Sequence, residues 1–257
     1  MTKFSSVFGA LLSGRIRRVH QVALTGLIAI VVTTAWTMIS GNFDLANGDL
    51  FGIIGGWSFV VYLVLFVEMA RFTERAFVSD SIRLMPLNDT KLYLANLTAS
   101  MVAFLYGVLL QVLLHVVGGL LSWHAFSKTL SEMWVAHPGN YPIWVIVLSI
   151  LCLMFLVLVM MWTTISLIHL VTTSISLFLP ASRQKAVQVI LYIFVTFVIL
   201  YIAQLVFRAP TGTMSALHTT STGAGPVLIN LIWIAVVIVI ESLLNVLMLK
   251  RWVETSH

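Results

Sequence analysis

Ionisable residues inside apolar segments are the first places in this sequence where chemistry can be sought. Glu241 lies well inside the apolar run 227–249, with Asn245 one helical turn further along. A carboxylate inside a membrane is unfavourable by several kcal/mol unless it is paired, protonated or hydrated. No basic residue shares the run at that depth, so we expect a Ser or Thr hydroxyl of a neighbouring helix, or His169, as its partner. A proton relay requires a second acid, and the pattern favours structural pairing or a water-lined cavity.

Small and polar residues recur at nearly every fourth position between residues 92 and 121. Such a stripe lets helices approach closely and hydrogen-bond across the contact. We favour packing within one chain. The alternative is a subunit interface or a translocation path, for which Gln111 and His115 are the best candidates, beside Glu241 and Asn245. The stripe comprises Asn96, Ser100, Ala103, Gly107, Gln111, His115 and Gly119.

Signatures of soluble enzymes are missing from the sequence. It contains no P-loop, HExxH or GxSxG motif, so we expect no catalytic residue, no cofactor and no ATP site in this chain. His124 and His137 are candidates to meet near one surface, but two ligands do not make a metal site.

An intramembrane glutamate protease is one alternative function. Glu68, Glu74, His115 and His169 supply the residue types, but a tandem-glutamate motif is missing. Glu68 stands one turn before Arg71, which favours an ion pair. A membrane scaffold or sensor without transport activity is the other alternative.

Composition places the elements that must position these residues in a membrane. The chain is 60% hydrophobic and 9% charged, with a mean hydropathy of +1.04, whereas soluble domains carry about 25% charged residues. The net charge of +5 is therefore not a nucleic-acid signal, because basic residues in membrane proteins mainly mark cytoplasmic loops. Cys152 stands alone, so an internal disulfide is excluded.

The hydropathy pattern predicts an all-α membrane protein with one domain over residues 1–257. Residues 3–19 place apolar side chains on one helical face and Arg15, Arg17 and Arg18 on others, which predicts a helix in the membrane interface. Six spans follow, each near the roughly 20 residues needed to cross the bilayer. They cover about 22–39, 52–70, 92–121, 142–165 with a cytoplasmic extension to 179, 187–207 and 227–249.

The fourth apolar run is long for a single span. From Pro142 to Leu179 it has 38 residues, about 57 Å as a helix. Two crossings would require a tight turn near Thr163 and Thr164. We therefore expect one crossing that continues into the cytoplasm and ends at Pro180.

The distribution of basic residues sets the orientation. With six spans and both termini inside, twelve Lys and Arg residues lie on the cytoplasmic side and two outside, as the positive-inside rule requires. The outer pair is Lys128 and Arg208; the inner set is Lys3, Arg15, Arg17, Arg18, Arg71, Arg75, Arg83, Lys91, Arg183, Lys185, Lys250 and Arg251. On the outer side, the spacing of aromatic residues in 122–141 predicts a short helix.

The polar loop 71–91 is predicted to be a docking element. Ser79 can cap a short helix that ends at Pro86, and Asn88 or Asp89 can then cap the third span. An apolar tip on a charged loop indicates burial against a partner. The docking residues are Ser79, Asp80, Ile82, Arg83, Leu84, Met85 and Leu87.

This arrangement resembles the permease subunits of ABC-2-type transporters. The local text SDSIRLMPLNDTKLYLANLTAS is similar to that family's coupling helix and the Leu-Pro-Leu step into the third span. The resemblance implies a bacterial cell-membrane permease that pairs with a second permease, the same or a related chain. Two ATPase subunits, which hold the ATP and Mg, would bind beneath the pair. Residues 79–87 become the coupling helix and residues 3–19 the elbow helix.

The resemblance also implies a direction and a cargo. Many members export peptides, drugs or lipid-linked sugars, and some protect cells from peptide antibiotics, so we expect an exporter of an amphiphilic substrate. This chain departs from the family in one respect. Family members often carry re-entrant helices between spans five and six, whereas the helical external segment here lies between spans three and four.

Overall fold

A computed structural model describes residues 4–78, 88–135, 143–176, 189–190, 192–197, 201, 204 and 225–252. Within these ranges the backbone is almost entirely helical and contains no strand. The helices are α1 (Phe4–Ile39), α2 (Asp49–Val78), α3 (Asp89–Leu121), α4 (Trp123–Val135), α5 (Ile143–Ser176) and α6 (Gly225–Trp252).

Five of these helices are long and apolar enough to cross a membrane. Only α4, with 13 residues, is too short. The other five contain the stretches Phe4–Ile39, Asp49–Phe77, Asp89–Leu121, Val147–Ile175 and Leu231–Lys250. About half of the fifth predicted span, 187–207, is described, and its residues 189–190, 192–197, 201 and 204 are helical. The all-helical class is thus confirmed with five helices able to cross a membrane, and the span at 187–207 stays a prediction.

Residues Phe4–Ile39 form one continuous helix of 36 residues. We expected a separate interfacial helix over 3–19 before the first span. No proline interrupts the segment, so the helix runs through Arg15–Val19 without a break. Its length of about 54 Å exceeds the roughly 30 Å hydrocarbon core, so part of it must project beyond the core.

The chain divides into two compact units, Met1–Asn140 and Tyr141–His257. In the first unit, α1, α2 and α3 pack against one another, and α4 contacts α3. The faces turned to each other carry small residues. A Cβ added at Gly107 of α3 would lie 2.5 Å from Cδ1 of Leu65 and 3.3 Å from Cγ1 of Val19. Gly107 therefore sits where all three helices meet.

The stripe predicted on the third span is the buried face of α3. Asn96, Ser100, Ala103 and Gln111 are each 0% exposed. They face α1 and α2, which confirms packing within the chain. The short helix predicted within 122–141 is confirmed as α4, and its place on the outer side stays a prediction. A Cβ added at Gly119 would lie 3.3 Å from the ring of Phe126.

In the second unit, α5 and α6 pack along each other. α5 is unbroken through Thr163 and Thr164 over 34 residues. This confirms that the long apolar run forms a single helix as far as Ser176. The outward faces of both helices are apolar and exposed, as expected for surfaces that contact lipid.

Candidate functional site

A buried polar junction joins α1, α2 and α3. Arg15 of α1 donates a hydrogen bond through Nη2 to Oδ1 of Asn96 on α3. Asn96 donates through Nδ2 to the backbone carbonyl of Thr73 on α2, at 2.9 Å. The Thr73 hydroxyl lies 2.7 Å from that of Ser100. Asn96 and Ser100 are 0% exposed, Arg15 is 1% and Thr73 is 2%, so the four side chains form one buried cluster.

The burial of Arg15 corrects the sequence analysis, which placed this arginine away from the apolar face. Arg15 shares a face with Val7 and Val19, which are both buried. These residues follow the fourfold spacing 7, 11, 15 and 19 along α1. That spacing was the available signal, but it becomes informative only once an acceptor such as Asn96 is known to face it.

The junction lies next to the two ends of the predicted docking loop. Thr73 is five residues before α2 ends at Val78, and Asn96 is seven residues after α3 begins at Asp89. Between the junction and the loop, the buried rings of Phe77 and Tyr93 stack, with centroids 6.0 Å apart and an interplanar angle of 11°. The two helix ends that flank the loop are therefore held together by side-chain contacts.

The docking residues themselves lie outside the described residues. These are Ser79, Asp80, Ile82, Arg83, Leu84, Met85 and Leu87. The predicted cap after them is confirmed, because Oδ1 of Asn88 accepts a hydrogen bond from the backbone N–H of Thr90 at 3.3 Å. Asp89 lies in the first turn of α3, where its negative charge interacts favourably with the positive end of the helix dipole.

Glu68 lies beside two arginines rather than one. It pairs with Arg71, as predicted, at 3.6 Å, and with Arg18 of α1 at 3.0 Å. Sequence spacing could not reveal the second partner, because Arg18 is 50 residues away along the chain. Both arginines are substantially exposed, so this cluster lies at the surface of the unit.

Gln111 is buried in the first unit, and His115 beside it is half-buried. Oε1 of Gln111 accepts a hydrogen bond from the hydroxyl of Ser58 on α2 at 2.8 Å. Nδ1 of His115 lies 2.8 Å from the carbonyl oxygen of Gln111, and the His115 ring meets Phe51 edge-on. These contacts give both residues a role in packing α3 against α2. A role in a pathway or an interface stays a prediction.

Glu241 has the hydroxyl partners that the sequence predicted. The hydroxyls of Thr163 and Thr164 on α5 both bond to its carboxylate, the second at 2.9 Å. Asn245, 0% exposed, donates through Nδ2 to the backbone carbonyl of Thr163 at 3.0 Å. His169, the alternative partner, instead bonds to the hydroxyl of Tyr192 at 2.6 Å. Glu241 and Asn245 thus both form hydrogen bonds from α6 to the middle of α5.

Three of the four residues considered for a protease have different partners. Glu68 pairs with arginines, His115 bonds to Gln111 and His169 to Tyr192. Within the described residues, no three His, Cys, Asp or Glu side chains converge on a possible metal position. His137, considered as a partner of His124, lies outside those residues.

The five long apolar helices indicate a multi-pass helical membrane protein. Comparisons with protein-family models, with curated proteins and with solved structures found no match.

Proposed function

We propose that this chain is the permease subunit of an ATP-driven ABC transporter. In this proposal, residues 79–87 dock on a separate ATPase subunit, and the chain pairs with a second permease in a bacterial cell membrane. The cargo is an amphiphilic peptide, drug or lipid-like molecule, moved outward by alternating access. Both termini lie in the cytoplasm, and ATP and Mg are bound by the partner.

The observation that carries the proposal is the buried junction of Arg15, Thr73 and Asn96. A loop that only connects two spans does not require side-chain hydrogen bonds between the helix ends that flank it. Here Asn96 joins α3 to α2 within two turns of the loop and also accepts a hydrogen bond from Arg15 of α1. The ion pair of Arg18 with Glu68 joins α1 to α2. A displacement of the loop would therefore move the inner ends of three helices together.

Such a body can couple ATPase closure to a change in the membrane. A partner shifts a two-state equilibrium only through its different affinity for the two states. The docking loop supplies this difference in affinity. The junction prevents the free energy of docking from being dissipated in local bending of α2 or α3. The chain itself then needs no catalytic residue.

The first test is co-purification of an ATPase with the solubilised protein. Wild type is compared with Ile82→Asp/Leu84→Asp, and the eluates are assayed for ATP hydrolysis and for the partner's identity by mass spectrometry. The matched control is Leu45→Asp/Ala46→Asp, which adds the same charge at two exposed residues of the loop before α2.

We expect an ATPase with the wild type and the control, but not with the docking variant. An ATPase that binds all three forms equally would place docking elsewhere. If none binds any form under mild detergent conditions, the transporter proposal fails and a scaffold or sensor role becomes the better explanation.

A further inference from the structure

A groove runs between α1 and α2 on the outer surface of the first unit. Its first section has a volume of about 270 Å³ and lies between Thr25 and Ala29 of α1 and Val60 and Val64 of α2. A second section of about 230 Å³ shares Trp57 and Val60 with the first and continues to Thr33. The two sections therefore follow one another along the same α1–α2 seam, and together they are called the groove below.

The groove exists because α1 carries small residues on this face. Gly26 brings the backbone so close to α2 that an added Cβ would lie 2.5 Å from Cγ2 of Val61, and this contact forms the floor. Val60 and Val64 are 42% and 41% exposed, so the walls open outward. In a membrane, this surface faces the acyl chains of lipids.

The dimensions suit one extended hydrocarbon chain. Arg18 and Thr33 mark the two ends, fifteen residues apart on α1, or about 22 Å along the helix axis. This is more than half of the roughly 30 Å hydrocarbon core. Beyond Gln21, the lining between them is valine, alanine, glycine, threonine and isoleucine with one tryptophan. The Nε1 of this tryptophan, Trp57, donates to the Thr33 hydroxyl at 2.9 Å.

One end of the groove is strongly basic. Arg18 and Gln21 line it there, and Arg18 is fixed by Glu68 through Nε and by Gln21 through Nη1, at 3.0 and 3.1 Å. The Arg18 side chain remains 44% exposed, so it can still meet a ligand. The exposed arginines of the helix segments 15–18 and 68–75 outnumber the glutamates there by four to two, a formal net charge of +2 without the buried Arg15.

We propose that this groove binds an anionic phospholipid, with one acyl chain between α1 and α2 and the phosphate at Arg18. Basic pockets between membrane helices favour anionic head groups, and each arginine near the surface contributes about 1 kcal/mol. The site is independent of the transport proposal, because it uses neither the docking loop nor the buried junction.

Native mass spectrometry of the intact protein tests the site, with mixed micelles that contain equal amounts of phosphatidylglycerol and phosphatidylcholine. We expect the wild type to retain phosphatidylglycerol preferentially. Arg18→Gln should lower that preference about fivefold while phosphatidylcholine retention stays the same. Equal retention of the two lipids by the wild type would overturn the proposal.

Filling the groove gives a second, independent arm. Ala29→Phe should remove the retained lipid, whereas Ala35→Phe, on an exposed position of the same helix, should not. Val60→Phe fills the groove from α2 and replaces Ala29→Phe if that variant does not fold. Lipid retention that survives both fillings refutes the site. A loss of subunit pairing with unchanged lipid would assign the groove to a second copy of the chain instead.

Discussion

Arg15 on α1 and Asn96 on α3 are hydrogen-bonded in the interior of the first unit, 81 residues apart in sequence. Burying a guanidinium there is strongly unfavourable without a hydrogen-bond acceptor, because nothing replaces the hydration that the group loses. The contact therefore requires that α1 and α3 stay in one register. It also explains why a basic residue belongs in the core of a helix packing that is otherwise apolar.

Removing the acceptor should destabilise the first unit more than removing the whole pair. We expect Asn96→Leu to lower the free energy of unfolding by about 2–4 kcal/mol, since it leaves Arg15 buried without its partner. Arg15→Met/Asn96→Leu should recover much of that loss, and Arg17→Met, at an exposed position of the same helix, should change little. Denaturation in detergent, analysed as a double-mutant cycle, measures the coupling. Additive effects would show that the pair does not act as a unit.

Close packing at Gly107 gives a second stability prediction. Gly107→Leu should separate α3 from α1 and α2, because a side chain there overlaps Leu65 and approaches Val19. The expected loss is about 1–3 kcal/mol, typical of overpacking. Gly52→Leu is the matched control, since nothing lies within 4 Å of a Cβ at that residue. Equal melting temperatures for the two variants would contradict a three-helix contact at Gly107.

Local sequence features predicted much of this structure. The helical class, the unbroken α5, the Asn88 cap, the Glu68–Arg71 pair and the hydroxyl partners of Glu241 all follow from hydropathy or from nearby residues. Each depends on residues that are close in sequence or, for Glu241, on the unfavourable free energy of a carboxylate in an apolar segment without a hydrogen-bond donor. The prediction therefore did not require knowledge of the tertiary arrangement.

The tertiary partners of α1 were missed for a physical reason. Composition assigns a basic residue near a membrane helix to an exposed surface, and Arg17 and Arg18 are indeed exposed. Whether Arg15 faces inward depends on Asn96 and on how α1 is rotated, neither of which is local. Likewise, the contact of Arg18 with Glu68 requires α1 and α2 to be placed side by side.

The exposed cluster at Glu68 should behave differently from the buried junction. We expect Glu68→Gln to cost at most about 1 kcal/mol, because the Arg18 and Arg71 side chains are 44% and 62% exposed and their charges are screened by water. The difference from wild type should shrink further as salt is raised from low concentration to about 1 M. Unfolding at both salt concentrations measures this. A loss above about 2 kcal/mol that persists in high salt would mean that the cluster is effectively buried.

The cap at Asn88 allows a test at the start of α3, directly after the docking loop. Asn88→Ala should destabilise the first turn of α3 by about 1 kcal/mol, because the N–H of Thr90 loses its acceptor. Hydrogen exchange at residues 89–92 should become faster, while Asn88→Asp, which keeps an acceptor oxygen, should leave it unchanged. Unaltered exchange in Asn88→Ala would show that the cap contributes nothing to the start of α3.

Glu241 allows structural and functional roles to be separated. The hydroxyls of Thr163 and Thr164 both lie within 2.9 Å of the carbonyl oxygen of Met160 as well as next to Glu241, so they keep an acceptor if the carboxylate is removed. Glu241→Leu also removes a polar group from the membrane-spanning part of α6. We therefore expect Glu241→Leu to be at least as stable as the wild type. Thr163→Val should lose about 1–2 kcal/mol, because it removes one hydroxyl donor from the carboxylate.

Melting temperatures of the wild type and the two variants, with Ser242→Leu as a neighbouring control on α6, decide between the roles. The expected order places Thr163→Val lowest and Glu241→Leu at or above the wild type. That order means that the carboxylate does not stabilise the fold. The next assay is then transport, or partner-dependent ATP hydrolysis, by Glu241→Leu. If Glu241→Leu melts well below both the wild type and the control, the carboxylate and its two threonines are a structural fastening of α6 to α5.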